Sequence, residues 1–183
     1  DRPSLGRGYD TVSVEEHMLP LNQNPGFEEV DGSGAPRRWV EYFENPLGQI
    51  TTDTREKAEG KRSLKVVNKS REDFRCKWVV SDGLAVSPGS VCAVESRVRV
   101  RNAQWTVVEV QGYHQAERKW ITIARCPNLL SGDRDWKRYY CSFLVPPGIT
   151  IIRPLLGGGW VKKAAGNDPA AISWFDEVKL YRL

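Results

Sequence analysis

The sequence lacks any apolar segment long enough to cross a membrane. Its longest apolar stretch, FLVPPGITIIRPLLGGGWV, is interrupted by Pro146, Pro147, Arg153 and Pro154, whereas a membrane-spanning helix needs about 20 consecutive apolar residues. The sequence also lacks a sustained helical period, which argues against an α/β enzyme fold. We therefore expect no membrane partner and no fold built on helices.

Residues and motifs for catalysis are equally scarce. The chain has only two histidines, His17 and His114, and no GxSxG nucleophile motif. The stretch EGKRS is not a phosphate-binding loop, because Arg55 occupies the position of the required earlier glycine. We expect a protein without catalytic residues. A jelly-roll hydrolase or lyase, which would need a pair of carboxylates or a His/Tyr/Arg set, is the alternative.

The cysteines exclude two kinds of site. There is no CxxC motif and no nearby pair of histidines, so zinc-binding and thioredoxin-like sites are not expected. Each cysteine lies in a strand-like run, where the side chain would be largely buried. Disulfides and buried thiols both remain open for the four residues, which are Cys76, Cys92, Cys126 and Cys141.

Size and charge are those of one ordinary globular domain. The 183 residues are 40% hydrophobic and 27% charged, with a formal net charge of +4, which is too weakly basic to indicate nucleic acid by itself. Residues 1–21 show no sustained period and are predicted to be an arm or linker with a short strand at DTVSV. The domain is predicted over 22–183. The sequence begins at Asp1 without a Met and without a charged-then-apolar leader, so we expect a piece of a longer or processed protein.

What the sequence does contain is a series of short β-branched and aromatic runs. They are separated by Gly, Pro, Asn and Asp, and they are WVEYF, SLKVVN, FRCKWVV, VCAVESRVRVR, WTVVEVQGYH, KWITIAR, RYYCSFLV, TIIRPLL and ISWFDEVKLYR. This spacing predicts an all-β fold, a two-sheet antiparallel β-sandwich of the jelly-roll type.

Alternation within these runs assigns side chains to a core and to an outer face. The predicted core contains Val94, Val98, Val108, Val110, Phe143 and Val178. In FRCKWVV, alternation predicts that Phe74, Cys76, Trp78 and Val80 face the core. If VCAVESRVRVR pairs with WTVVEVQGYH, the polar residues form one ligand-binding face, which consists of Arg75, Lys77, Glu95, Arg97, Arg99, Trp105, Glu109, Gln111, Tyr113 and Trp120.

Asp176 is an acid inside an apolar terminal strand, where a carboxylate needs a partner. Glu28, in NPGFEEV near the other end of the domain, lies beside Gly26 and main-chain carbonyls. First and last strands are often neighbours in a sandwich, and a hard cation such as calcium takes six to eight oxygen ligands. A structural metal is one interpretation, and two surface carboxylates without a metal are the other.

The segments NPGFEE, APRRW, EGKRSLKVVN, VSPGSVCAVESRVRV, RDWKRYYCSFLVPPG and AISWFDEVKL, in this order, resemble carbohydrate-binding modules of the families four, nine and twenty-two type. The resemblance covers about residues 22–183 and implies a jelly roll that binds glycan chains, attached to a secreted glycoside hydrolase or lyase. It also implies structural calcium (Ca2+), held by the backbone oxygens of Gly26 and Arg62 and by Asp176, with Glu28 as a further ligand. The aromatic residues Trp39, Trp136 and Trp174 match structural positions. Trp160, in GGGWVKK, has two possible places: above the binding face, or buried as a plug at one end of the sandwich.

We therefore expect a secreted, monomeric module that binds a polysaccharide or oligosaccharide without cleaving it. The basic residues favour an anionic or mixed-charge glycan first and a neutral β-glycan second. A structural spacer without a ligand is the alternative. Binding to nucleic acid is not expected, because Glu95 and Glu109 interrupt the predicted face.

Overall fold

The computed structural model describes residues 19–71, 75–162 and 170–183. The DTVSV segment and Phe74 lie outside these ranges. Within them no helix is long and apolar enough to cross a membrane. All regular elements of the described residues are β-strands, namely β1 (Trp39–Glu41), β2 (Gly48–Asp53), β3 (Ser63–Asn68), β4 (Lys77–Ser81), β5 (Leu84–Ala85), β6 (Val91–His114), β7 (Lys119–Arg125), β8 (Leu130–Leu144), β9 (Ile149–Gly158), β10 (Trp160–Val161) and β11 (Ala171–Arg182).

The strands form two antiparallel layers that share β6. In the first layer, which we call sheet I, the order is β1-β4-β9-β6-β7, with β5 also paired to β9. In the second layer, sheet II, the order is β8-β6-β11-β3-β2, with β10 also paired to β6. The predicted jelly-roll sandwich is confirmed.

Strand β6 is 24 residues long and passes from one sheet to the other. Its N-terminal half pairs with β8 and β11, and its C-terminal half pairs with β7 and β9. The register shifts around Ala103, and Asn102 and Trp105 have positive φ angles of 49° and 66°. Bulges of this kind bend a strand, so one chain segment can serve both layers.

The core lies between the sheets and is built from both halves of β6. Val94, Val98, Val108 and Val110 are completely buried in one cluster, together with Val178 of β11. These five predicted core positions are confirmed. The sixth, Phe143, packs against the cluster but remains partly exposed.

A disulfide joins the two layers. Cys126, which follows β7 of sheet I, is bonded to Cys141 in β8 of sheet II. Cys76 and Cys92 are free and buried, whereas Cys141 is only partly buried. The expectation that all four cysteines are largely buried is thus met by three of them.

Candidate functional site

The outer surface of sheet I carries a group of half-buried aromatic rings, and we call this surface the aromatic face. The rings of Tyr113 and Trp120 lie on neighbouring strands in register and contact each other edge to face, with centroids 5.4 Å apart. Val80 and Leu155, also neighbours in register, are buried although they lie outside the main core cluster. The surface therefore combines an apolar floor with projecting rings, and its members are Tyr42, Trp78, Glu109, Gln111, Tyr113, Trp120, Thr122, Arg125 and Arg153.

Arg153 of β9 lies at the centre of the aromatic face. Its guanidinium carbon is 3.8 Å from the centroid of Trp120 and 4.5 Å from that of Tyr42. Its Nε and Nη2 atoms donate to Oε1 of Gln111 at 3.1 and 2.9 Å. Burial lowers the pKa of Arg153, while its contact with Tyr42 opposes that change. A rigid cation is thus held between two rings by a neutral amide.

Glu109 is the buried acid of the same face. Its side chain is only 6% exposed. Oε1 accepts a hydrogen bond from Arg125 Nε at 2.9 Å, and Oε2 accepts one from Thr122 at 3.0 Å. The charge of Arg125 is therefore balanced by a carboxylate, unlike that of Arg153, for which the described residues contain no ion pair.

Strand β4 has the opposite orientation to the predicted one. Lys77 points inward and is 3% exposed, and its Nζ atom donates to Glu41 and to the carbonyl of Asn45. Trp78 points outward and its indole lies over the outer side of its neighbour Gly157, where an added Cβ atom would be 2.7 Å from the ring. Val79 occupies the core position in β4, so Trp78 and Val80 on either side of it lie on the outer face and not on the predicted inner one.

The outer surface of sheet II, which we call the charged face, has a different chemistry. Each arginine at its centre has a carboxylate partner. Arg97 contacts Glu59 at 2.7 Å, Arg99 contacts Glu56, and Arg138 contacts Glu95 at 2.7 Å. The positive charges of these three arginines are therefore balanced by neighbouring carboxylates.

Trp174 is the main aromatic residue of the charged face and is 4% exposed. Cations of Lys65 and Arg99 lie over its ring, each 5.6 Å from the centroid, and its Nε1 atom donates to Asp53. Burial would raise the pKa of Asp53, but hydrogen bonds from Trp174 and nearby amides lower it to about 2. This indole offers little free surface to a ligand, in agreement with its expected structural role.

A cavity of about 380 Å³ opens beside Trp174. Its lining is balanced in charge, with three arginines and three acids, namely Arg99, Arg101, Arg134, Glu56, Asp133 and Asp135. A ligand entering it would have to separate existing pairs such as Arg99 with Glu56. This cavity is therefore a weaker candidate than the aromatic face.

The structure brings together four of the ten residues predicted to bind a ligand. Glu109, Gln111, Tyr113 and Trp120 share the aromatic face. Glu95, Arg97 and Arg99 lie on the opposite side of the sandwich, because the two runs expected to pair with each other are halves of β6. Lys77 is internal, Arg75 is exposed before β4, and Trp105 lies at the crossing between the sheets. Whether any of the ten binds a ligand stays a prediction.

Trp105 and Trp160 contact each other where β6 changes sheets. Their ring centroids are 5.2 Å apart, and Trp160 is 4% exposed. Of the two possibilities left open for Trp160, burial is therefore the one observed. Trp105 is partly exposed.

Sequence reasoning missed five members of the aromatic face, namely Tyr42, Trp78, Thr122, Arg125 and Arg153. One signal was present in TIIRPLL, where Arg153 is the single charge in an apolar run and alternates with Ile152 and Pro154. A lone cation at an outward position of such a strand indicates a specific contact. Tyr42 lies just outside β1 and left no comparable signal.

The residues expected to hold calcium meet around the loop at 58–62. The side chain of Asp176 is completely buried, and its Oδ2 atom accepts hydrogen bonds from the amides of Ala58 and Glu59 at 2.9 and 3.0 Å. Glu28 Oε1 accepts from the amide of Lys61 at 2.8 Å. The partners of the acid in the terminal strand are thus backbone amides in the described part of the chain.

The surroundings of this loop are compact and acidic. A Cβ atom on Gly60, whose φ is 61°, would lie 2.0 Å from Glu28, and one on Gly26 would lie 2.7 Å from the carboxylate of Glu177. A bulge in β11 places Asp176 and Glu177 side by side at this point. Nε of Arg62 is buried without a hydrogen-bond partner among the described residues.

This set of donors fits a hard cation in chemistry. Carboxylates and backbone carbonyls are the ligands that calcium takes. Burial raises the pKa of Asp176 to about 6, and three amide hydrogen bonds to its carboxylate oppose this rise. No group of three or more His, Cys, Asp and Glu side chains in the described ranges is arranged around a single metal position. Main-chain oxygens, such as those of Gly26 and Arg62, would therefore have to complete the coordination.

No protein-family model and no curated protein matches this sequence. Solved structures match its fold. A family 22 xylan-binding domain of Paenibacillus barcinonensis is 14% identical, covers 86% of this chain and 90% of its own, and has a TM-score of 0.53. A family 4 carbohydrate-binding module is 17% identical, with coverages of 81% and 96% and a TM-score of 0.54.

A third match is the enzymatically active domain of tailspike protein 4 from bacteriophage CBA120. It is 11% identical with a TM-score of 0.63, and 90% of this chain matches 21% of that one. The chain thus spans about a fifth of the length of the tailspike domain. The likeness to the two modules above confirms the expected resemblance for families 4 and 22 at the level of fold: the chain has the jelly-roll fold of these carbohydrate-binding modules.

Proposed function

We propose that this domain binds a polysaccharide chain along the aromatic face without cleaving it. The observation that carries the proposal is the aromatic face itself, an open surface with Trp78, Tyr113 and Trp120 above an apolar floor. Flat rings pack against the C–H side of a pyranose, and planar polar groups such as Gln111 bind its hydroxyls.

Structural neighbours support this proposal. One is a xylan-binding domain, and another consists of carbohydrate-binding and GH10 modules of a Clostridium thermocellum xylanase complexed with xylohexaose. The latter is 13% identical, with coverages of 90% and 28% and a TM-score of 0.55. By analogy, we propose that this chain serves as an accessory domain of a carbohydrate-active enzyme.

The aromatic face favours binding over hydrolysis. Glu109 has both oxygens engaged by Arg125 and Thr122, whereas glycoside hydrolysis usually takes two carboxylates poised around the scissile bond. An open face in contact with water also binds modestly, so we expect dissociation constants around the micromolar to millimolar range. The module is proposed to act as a monomer.

An extracellular location is part of the same proposal. The disulfide between Cys126 and Cys141 is compatible with an oxidising compartment, and the resemblance to carbohydrate-binding modules implies attachment to a secreted enzyme. Membrane and nucleic acid are not proposed as partners. Binding that collapses steeply with added salt would indicate nucleic acid instead.

Two tyrosines on opposite faces provide the test of the binding face. Tyr113 is half-buried on the aromatic face and Tyr140 is half-buried on the charged face. Calorimetry and affinity electrophoresis against neutral, uronic and sulfated polysaccharides should give a ligand for the parent chain. Tyr113→Ala should weaken its binding about 5- to 100-fold, and Tyr140→Ala should leave it unchanged. A parent chain that binds no glycan would support the structural spacer instead.

We also propose that calcium stabilises the fold at the loop 58–62, with Gly26, Glu28, Arg62 and Asp176 supplying the oxygens. The burial of Asp176 and its place beside Glu28 support this site. A chelator should lower the melting temperature of the parent chain and not that of Asp176→Asn. Glycan binding should change little, because the site lies on the sheet II side. An equal chelator response in both proteins would contradict the site.

A further inference from the structure

We propose that Arg153 is the residue that selects the glycan, by pairing with the carboxylate of a uronic acid unit. This inference rests on the proposed function and names the chemical class of its ligand. The earlier expectation of an anionic glycan relied on Arg75, Lys77, Arg97 and Arg99, none of which lies among the rings of the aromatic face. Arg153 was not among the residues predicted from the sequence.

The first step is the charge balance of the two faces. On the charged face, Arg97, Arg99 and Arg138 each have a carboxylate partner. On the aromatic face, Arg125 has Glu109. Arg153 has no ion pair within the described residues, so it is the cation on the aromatic face whose charge is left for a ligand.

The second step is the way in which Arg153 is held. One oxygen of Gln111 accepts hydrogen bonds from two N–H groups of Arg153, and Tyr42 is a further hydrogen-bond partner of the guanidinium. These partners are neutral, so they fix the guanidinium plane without cancelling its charge. The rings of Trp120 and Tyr42 restrict the same plane. A fork fixed in this way loses little entropy when a ligand binds.

The third step is the match between this fork and a carboxylate. The planar guanidinium donates parallel hydrogen bonds to a planar carboxylate, and such pairs are stronger where water is partly excluded. Arg153 is half-buried and next to rings that bind the apolar side of a pyranose. A sugar seated on Tyr113 would present an attached carboxylate toward a cation that is already in place.

Carboxyl reduction provides a sharp test, because it converts each uronic acid into the neutral sugar of the same linkage. We propose to titrate the chain with polygalacturonate, alginate and glucuronoxylan and with the carboxyl-reduced form of each. At least one uronic polymer should bind about tenfold more tightly than its reduced form. Arg153→Met should abolish this difference, and the ratio of the affinities for the two forms is the readout, whatever the absolute affinity of the variant.

Two further variants separate charge from geometry. Arg153→Lys keeps the charge without the planar fork and should retain only part of the preference. Arg138→Met, the matched change on the charged face, should retain all of it. Melting temperatures of all variants establish that each is folded.

The outcomes are distinct from those of the proposed function. If neither form of any polymer binds, the proposed function fails. If both forms bind equally to the parent chain, or if Arg153→Met keeps the preference for the uronic form, the aromatic face binds glycan but the role of Arg153 is refuted. Equally tight, Arg153-dependent binding of dextran sulfate would also overturn the assignment to carboxylates.

Discussion

The two outer faces of the sandwich differ in the partners of their central arginines. On the charged face, Arg97, Arg99 and Arg138 are paired with acids. On the aromatic face, Arg125 is also paired with an acid, but the central Arg153 contacts rings and an amide. The number of positive charges therefore says little about ligand binding, because a paired guanidinium must first lose its partner.

The largest expected effect concerns the disulfide that joins the two layers behind these faces. Cys126→Ala with Cys141→Ala removes the disulfide between sheets I and II, which closes a loop with a sequence separation of 15. Loss of a cross-link over a loop of this length should lower the free energy of unfolding by about 3 kcal/mol. Urea unfolding measures it, with Cys76→Ala as a control for the loss of a buried cysteine. A change in the double variant no larger than that in the control would contradict the expectation.

Asp176 extends the comparison to the acids on the sheet II side. Backbone amides hold its carboxylate, whereas the acids of the charged face are held by arginines. Burial raises the pKa of Asp176 to about 6 in the folded chain, against an ordinary value of 3.8. The folded state therefore binds this proton more tightly, and the contribution of Asp176 to stability falls as pH rises from about 4 through 6. The loss is up to roughly 3 kcal/mol without calcium.

Unfolding in a chelator at pH 4.5 and pH 7 tests this sign, with Asp176→Asn as the reference that cannot titrate. Relative to that variant, the parent chain should lose stability between the two pH values. With calcium added, the trend should reverse, because the ion competes with the proton. A parent chain that follows the variant at both pH values would show that Asp176 does not titrate in this range.

A matched pair of buried glutamates separates stability from binding. Glu95 and Glu109 each contact an arginine and a hydroxyl, on opposite faces. Their replacement by Ala should lower the free energy of unfolding by a similar amount, about 1–3 kcal/mol. Glycan affinity should fall about three- to tenfold only in Glu109→Ala. An equal loss of affinity in both variants would indicate an indirect effect on the fold.

The smallest expected effect is that of a paired arginine on the charged face. Arg99→Ala removes surface contacts with Glu56 and Asp135, and such exposed pairs contribute about 0–1 kcal/mol. Glycan affinity should stay within about twofold of the parent chain. A larger loss of affinity would place ligand on the charged face and remove the distinction between the two surfaces.

Alternation along a strand was sufficient to predict the core, since Val94, Val98, Val108 and Val110 are buried as expected. It was not sufficient to predict the face that a polar residue joins. The bulges at Asn102 and Trp105 lie at non-glycine residues with positive φ, so no turn signature separates the two halves of β6. Alternation defines two sides of a strand, whereas the sheet to which each half belongs is decided by tertiary pairing.

Other differences have local causes. Strand β2, GQITTD, has few apolar residues and was not predicted, although it pairs with β3 along its whole length. Lys77 was assigned outward because alternation placed its neighbour Trp78 in the core. A buried lysine is rare, and its contacts with Glu41 and Asn45 make the inward position tolerable. The disulfide partners are distant in sequence from any motif, so spacing alone left the pairing open.

The shared strand β6 also has a mechanical consequence. A polysaccharide bound to the aromatic face would transmit tension into β7 and β9, whereas the last strand of the chain, β11, pairs with the other half of β6. Within the described residues, β6 is the strand that pairs in both layers, so a pull between the ligand and β11 loads β6 across its bend. The bond between Cys126 and Cys141 ties β7 to β8 across the same bend, so it would share part of this load and resist separation of the two layers.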